Sequence, residues 1–479
     1  MKKTVKITIS TIISISIILS MVITSVAISE TPEDFGGTIT HESKSNYSVY
    51  INNIKDKTTA TENIDLGIQN LISDYTNKTA DEMLPLDDKC TNAKFSFSIP
   101  KEGLYNIKLT YLPSEIGTAD IEIGLKIDGN YPFSDAQKMV CFRNWTNSSE
   151  EWRVDSTGNE FTTEQIQTGK IVEQTLLDKT GVYTDPFLFF FTKGSHEIEI
   201  LLEEESFALK SISLVAPQVV RPYEEIRNNY VSNSYKEYSG LPIIIEAENA
   251  YIKTSNSLTA KSDTNSVNVT PKSTTTGVVN FIGGENWNSP GDELTWNFHI
   301  DKSGLYKLGF SYKQSYVMNG SVYRSLKIDN ITPFKEASSI AFPYSSAWEK
   351  MDFADIKSNP YLLYLEEGDH TISMSVTLGV MADFYKRLSD IVELLGQEYL
   401  SISMITGETP DANRDYELFK QIPELESVLS TQEKELITLM EDMEKASGLK
   451  TTKYSSVLRS MAQILKQMLA KKYLAHTYK

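Results

Sequence analysis

The side chains most suited to acid–base chemistry are the five histidines, and two of them stand at equivalent places. His196 follows Gly194-Ser195 and precedes Glu197-Ile198, while His370 follows Gly368-Asp369 and precedes Thr371-Ile372. A histidine repeated at the start of a hairpin is expected to partner the turn rather than to shuttle protons. No Gly-x-Ser-x-Gly, no phosphate-cradling glycine loop and no His-Glu-x-x-His occurs, so hydrolase, nucleotide-binding and zinc-protease readings lack their minimal parts. Carboxylates are plentiful among the 64 acidic residues, yet no spacing fixes two of them across a cleft. The chain is therefore read as non-enzymatic. Aromatic faces remain. Trp287 sits in the loop Gly283-Gly284-Glu285-Asn286-Trp287 and is expected to be the most exposed, with Trp348 and Tyr344 next; Trp296 is in phase with Leu294 and Phe298 and is assigned to the core.

The elements that must position these side chains belong to a duplication. Leu294, Trp296, Phe298 and Ile300 alternate, Asp301-Lys302-Ser303-Gly304 turns, and Leu305 to Phe310 re-enters an extended pattern, as a half-buried hairpin requires. Phe95 to Ile99, Gly103-Leu104-Tyr105 and Leu125-Lys126-Ile127-Asp128 repeat this unit at a constant offset, since 304 − 103 and 329 − 128 both equal 201. Of the nine positions in Leu125 to Phe133 and Leu326 to Phe334, six are identical. Asp185-Pro186-Phe187-Leu188 matches Asn359-Pro360-Tyr361-Leu362 at an offset of 174, so the first copy carries 201 − 174 = 27 extra residues. These are assigned to the polar stretch from Asp155 to Gly181, and such insertions are expected on loops. Two long copies argue for tandem domains and against a solenoid or propeller.

The 479 residues carry a net charge of −18, which makes nucleic acid an improbable partner because phosphate binding needs a basic face. Lys2, Lys3 and Lys6 precede an uncharged run from Ile7 to Ala27, followed by Glu30, Glu33 and Asp34; this polarity places the downstream chain outside the membrane. Residues 1–29 are read as a signal peptide cleaved after Ala27 or as an uncleaved membrane anchor. The two cysteines, Cys90 and Cys141, both lie in the first copy, and sequence leaves open whether they are bridged.

Residues 30–46 read as a tether, and the first copy spans 47–216, beginning with Tyr47-Ser48-Val49-Tyr50-Ile51 and ending with the strand-like Leu209 to Val215. Residues 217–240 read as a connector, and the second copy spans 241–379. The fold class is mainly β: two tandem antiparallel β-sandwich, jelly-roll-like domains followed by an α-helical segment. In the helical region 380–479, Phe384, Leu388, Ile391 and Leu395 fall at helical spacing, as do Leu458, Met461, Leu465 and Met468. Ser430 with Glu433 forms a capping-box pattern before Leu436, Leu439, Met440 and Met443, and Gly448 is placed to end that helix. Ala475 to Lys479 carry no cap, so the helical part is expected to be truncated.

Ile243-Ile244-Ile245-Glu246-Ala247-Glu248, followed by Gly283 to Trp287, Ser289-Pro290-Gly291-Asp292 and the Gly304-Leu305-Tyr306 hairpin, resembles the β-sandwich carbohydrate-binding modules whose first strand carries Glu-x-Glu. The resemblance covers Leu241 to about Val376. It implies a structural calcium ion held by Glu246 and Glu248, with Asp383 the nearest further carboxylate, and a polysaccharide or oligosaccharide ligand stacked on Trp287, Tyr344 or Trp348. The first copy departs from this pattern. It has no Glu-x-Glu at its start and has Leu84-Pro85-Leu86-Asp87-Asp88 where the second has Trp287, although Trp152 matches Trp348 at an offset of 196. The whole arrangement, with Met404 to Asp411, Arg414-Asp415-Tyr416 and Ile422-Pro423, also resembles the N-terminal half of large Gram-positive extracellular solute-binding proteins of ABC sugar importers. Two alternatives to a cell-surface carbohydrate binder follow: an accessory partnering an ABC transporter permease, and a structural surface scaffold.

Overall fold

The computed structural model describes residues 46–470, apart from 68–69, 72–82, 267, 274, 319, 408–409, 412–413 and 448–452. The apolar run from Ile7 to Ala27, Gly448 and the terminal Ala475 to Lys479 lie outside the described residues. No described helix is long and apolar enough to cross a membrane.

The alternation read from sequence becomes sheet. In the strand Asn92–Ile99, Phe95, Phe97 and Ile99 face inward, and in Glu293–Ile300, Leu294, Trp296 and Ile300 are buried. The first copy pairs Asn92–Ile99, Gly194–Glu204, Ile121–Ile127 and Met139–Cys141 in that order, and the second pairs Glu293–Ile300, Gly368–Thr377, Ser321–Ile328 and Ile340–Pro343 in the same order. Register repeats too. Ile198 lies opposite Phe95 and Ile127; Ile372 lies opposite Trp296 and Ile328. A six-stranded sheet around Gly103–Pro113 and Phe207–Val215 shares the core of the first copy, which includes Tyr111, Phe133, Phe189 and Phe191.

Each copy also contains a helix. At the start of the first copy Tyr47–Ile54 forms α1, and the stretch read as a connector holds α2, Tyr223–Ser232. Tyr47, Val49 and Ile51 fit a period of two, but Tyr47, Tyr50, Ile51 and Ile54 fit a helical face equally well. Asn46 decides between them by accepting from Val49 N at 3.0 Å as an N-cap. The Tyr47 hydroxyl accepts from Leu188 N and the Tyr223 hydroxyl from Leu362 N, both at 2.9 Å. After each helix the chain pairs in parallel with the hairpin strand, Thr59 with Leu104 and Glu237 with Leu305. By contrast, Leu241 to Glu246 form no strand, and Leu241 and Ile244 are exposed. The place beside Glu293–Ile300 is filled instead by Ile252–Lys253, which leaves no edge for them.

The extra residues of the first copy are not confined to loops. Gln165–Gln167 pairs with Trp145–Asn147, which pairs through Trp145 with Lys253, so two strands of the first copy complete the seven-stranded sheet of the second. Val172–Thr175 pairs with Gly103–Pro113. Leu176 N donates to Ile107 O as Phe353 N donates to Leu308 O, an offset of 353 − 176 = 177. Trp348 therefore corresponds to residue 348 − 177 = 171, an isoleucine, and Trp152 is not its counterpart. Cys90 and Cys141 are both buried and not bridged to each other; the Cys90 thiol donates to Asn92 O at 3.6 Å.

Beyond the sheets run α3 (Met381–Thr406), the single turn α4 (Leu418–Gln421), α5 (Leu425–Ser447) and α6 (Lys453–Ala470). The expected stripes meet in one core, with Ile391, Leu436, Leu439, Leu458 and Leu465 buried and Phe384, Leu388 and Met461 packed against them. Ser430 is not a cap. It lies inside α5, which starts just after Pro423, a residue tolerated at a helix start because its missing N–H has no partner there. Arg387 joins α3 to α5 by contacting Glu435 Oε1 at 2.8 Å and Asp442 Oδ2 at 2.7 Å.

Candidate functional site

Strand order carries several loops to one end of the second copy. Trp287 follows a short turn, Gly284–Asn286, entered through Gly283 at φ 103°, a conformation that favours glycine. A side chain at Gly283 would also meet the Trp287 ring, 3.1 Å from Cε3. The ring is half-buried, its Nε1 donates to Asp292 O at 3.0 Å, and the Arg324 guanidinium lies 4.2 Å over one face. Arg324 Nη2 also donates to Trp287 O at 2.8 Å. One face and the N–H of Trp287 are therefore committed within the protein, and a ligand has only the remaining face. Burial lowers Arg324 to about 10 and raises the Asp292 carboxyl to about 6.

Tyr344 is 36% exposed, and its N donates to Gly320 O at 2.8 Å, closing the neighbouring loop. That loop is shaped by Gln314, whose Oε1 accepts from Tyr316 N at 2.9 Å and Val317 N at 2.8 Å. It presents Tyr316, 64% exposed, which the sequence reading passed over. The available signal was an aromatic in a short polar turn between two alternating segments. Tyr344 closes on Gly320 through its N–H, and a side chain at Gly284 would lie 3.8 Å from the Tyr316 hydroxyl, so Tyr316, Tyr344 and the turn that leads into Trp287 share this end. Trp348 is held differently: its Nε1 donates to Asp263 Oδ2 at 2.8 Å, and its ring packs edge-on against Phe281 at 5.6 Å. Although burial pushes Asp263 upward, the hydrogen bonds from Trp348, Asn265 N and Ser266 outweigh it and hold the carboxyl at about 2.

Glu248 lies in the turn Ala247–Asn249 and is almost completely buried. Burial raises its carboxyl to about 7, the charges of Glu246 and Glu160 push it further the same way, and only its own backbone N–H opposes them. Glu160 comes from the extra residues of the first copy, outside the stretch that carries the Glu-x-Glu resemblance. Asp383 does not join these carboxylates in any contact; it is in the first turn of α3, 3.9 Å from Arg387. Among the described residues no group of three or more His, Cys, Asp or Glu is placed to hold a metal. Glu246 and Glu248 offer the hard oxygen donors that suit calcium, with main-chain carbonyls as the other available donor type.

The repeated histidines are turn partners. His196 Nδ1 lies 2.7 Å from Asp128 Oδ2 and His370 Nδ1 2.6 Å from Asp329 Oδ2. The other ring nitrogen meets Thr192 O at 2.8 Å or Glu366 O at 2.9 Å. Both aspartates adopt φ 51° and also accept from the next strand, at Glu197 N and Thr371 N.

Residues 383–473 match the family model described as bacterial solute-binding protein, 4-helix bundle domain. No curated protein matches the chain. Among solved structures, the chain is similar to the Podospora anserina GH26-CBM35 β-(1,4)-mannanase, at 11% identity and a TM-score of 0.19, covering 39% of this chain and 32% of that one. The chain thus spans about a third of that protein's length. The CBM35 from Cellvibrio japonicus Abf62 is 13% identical with a TM-score of 0.19, covering 33% of this chain and 95% of that one. A family 35 carbohydrate-binding module from Clostridium thermocellum is 19% identical with a TM-score of 0.17, covering 21% and 69%. At such TM-scores these likenesses add nothing to what the geometry shows.

Proposed function

We propose that this chain is a non-catalytic, extracellular carbohydrate-binding protein of the bacterial cell surface, built from two tandem antiparallel sandwiches and a helical bundle. The observation that carries this reading is the grouping of Tyr316, Tyr344 and the turn bearing Trp287 at one end of the second copy, with the two tyrosines exposed. Exposed aromatic faces beside polar side chains suit the apolar face of a pyranose and its hydroxyls. Calcium held by Glu246 and Glu248 is part of the proposal, as is export through the N-terminal apolar run. The test is titration of the protein with plant and bacterial polysaccharides beside a Tyr316→Ala/Tyr344→Ala variant. Saturable binding weakened about tenfold or more in the variant is the expected result, a loss of about 1.4 kcal/mol. Equal affinities for the two proteins, or no binding to any polysaccharide, would overturn it.

The match of residues 383–473 favours a second reading, an accessory of an ABC sugar importer in which the bundle docks a permease or a solute-binding partner. Crosslinking in cells that recovers a permease through α3, α5 or α6 would support it. Recovery of no transporter component would count against it.

A further inference from the structure

The equivalent end of the first copy is built differently. The offset of 201 places Glu115, Ile116 and Gly117 where the second copy has Tyr316, Val317 and Met318, and Arg143 where it has Tyr344. Arg143 is completely buried and works as a clasp. Its Nε donates to Ala119 O and its Nη1 to Ser114 O, both at 2.6 Å, fixing the two ends of the loop, while Nη2 reaches Glu205 Oε2 at 2.8 Å. Nη1 also donates to Gln167 Oε1 at 3.0 Å, and Gln167 Nε2 donates to Gly117 O at 2.8 Å. The extra residues of the first copy are thereby locked against this loop, and between them lies a groove of about 390 Å³. That volume falls in the small-ligand range.

We infer that this groove is a second carbohydrate site, taking a neutral mono- or disaccharide or the end of a neutral glycan chain. Its lining includes Pro113, Trp145 and Ile166 as apolar surface and Asn144, Thr168 and Lys170 as polar groups, with Glu115 opposite in sign to Lys170. Apolar floor with hydroxyl-matching rim suits a pyranose, and rim charges that cancel favour an uncharged ligand over an anionic one, as does the net charge of −18. The Asn144 carbonyl accepts from Thr168 N at 2.9 Å, while its side-chain amide makes no hydrogen bond among the described residues and faces the groove as a donor and acceptor. Because Arg143 and Gln167 hold the walls before any ligand arrives, little ordering remains to oppose binding.

This inference rests on the carbohydrate-binding reading but concerns a different end of the chain, so the two are separable. The experiment is calorimetric titration of the full chain with soluble cello-, xylo-, manno- and malto-oligosaccharides, using wild type, Asn144→Ala/Lys170→Ala and Tyr316→Ala/Tyr344→Ala. The substituted side chains are not buried, so folding is preserved, and circular dichroism checks this. Two sites per chain, with one weakened about tenfold or more by each double variant, is the expected result. Binding weakened only by the Asn144/Lys170 variant supports the groove and sinks the site at the second copy. Binding weakened only by the Tyr316/Tyr344 variant overturns the groove and leaves the other site standing. No binding by wild type overturns both.

Discussion

The Lys253 ammonium, fully buried in the seven-stranded sheet, donates to Asn147 Oδ1 at 2.6 Å across the seam between the two copies. Gln165 Oε1 takes a second bond at 2.7 Å, so both acceptors are neutral amides supplied by the first copy. Residues 45–479 form one compact unit, and this buried charge is part of the joint within it. Removing one acceptor by Asn147→Ala is expected to cost about 1–3 kcal/mol in chemical denaturation, since a buried charged donor loses a partner. A loss within experimental error would show that the seam tolerates the gap.

The same lysine predicts a pH dependence. Burial lowers it from 10.5 to about 8, so between those values the unfolded chain binds more protons and stability rises with pH. The melting temperature of wild type minus that of Lys253→Met is therefore expected to climb from about pH 8 to about pH 10.5. A flat difference would contradict the burial.

Tyr47 and Tyr223 hold equivalent strand edges through the hydroxyl that accepts from Leu188 N or Leu362 N. Tyr47→Phe and Tyr223→Phe each leave one amide unpaired without changing ring packing. Each is expected to cost about 1–3 kcal/mol in urea denaturation. If either variant unfolds like wild type, water replaces the hydroxyl and the helix is not an edge clamp.

The His370–Asp329 pair gives stability over a bounded range. Burial pushes the imidazole down, but the hydrogen bonds to Asp329 and Glu366 O outweigh it and the net shift is upward. A raised histidine stabilises fully below the unfolded value of about 6.5 and loses that contribution as pH rises through the folded value. Asp329 is held low despite burial, by Thr371 and His370, so its contribution disappears in acid. Comparing wild type with His370→Gln should show the largest advantage near about pH 5–6 and a smaller one near about pH 9. An advantage that grows with pH would reverse the assignment.

Calcium at Glu246 and Glu248 is checked by thermal unfolding. With calcium at about a hundred times its dissociation constant, wild type is expected to gain about 2.7 kcal/mol over the chelator-treated protein, whereas Glu248→Gln shows little difference. Identical curves for wild type in calcium and in chelator would remove the ion from the proposal.

Much of the β architecture was legible because one face of each strand is buried. The alternation of Phe95, Phe97 and Ile99, repeated 201 positions later, showed the duplication, and the strand order that the two copies share was added by the tertiary structure. The helical stripes of Leu388 and Leu465 foretold a packed bundle for the same reason, at a different period. Local pattern misled where two templates fit. Tyr47 to Ile54 satisfies both periods, and Ser430 with Glu433 mimics a cap inside a helix whose start lies near Pro423. In the site, Trp287 was visible as a loop aromatic, but its guanidinium cover was not.

What depends on neighbours a few residues apart can be read along the chain: the repeat, the strand and helix periods, and the lack of motifs for hydrolytic or nucleotide chemistry. Which side chains meet across long separations is set by folding. Arg324 lies over Trp287, 37 residues away, Lys253 bonds Asn147 at a separation of 106, and Arg143 anchors the loop on its own copy's groove. Periodicity records which face is buried. It does not record what covers that face, because burial is satisfied by any segment of the right shape and polarity.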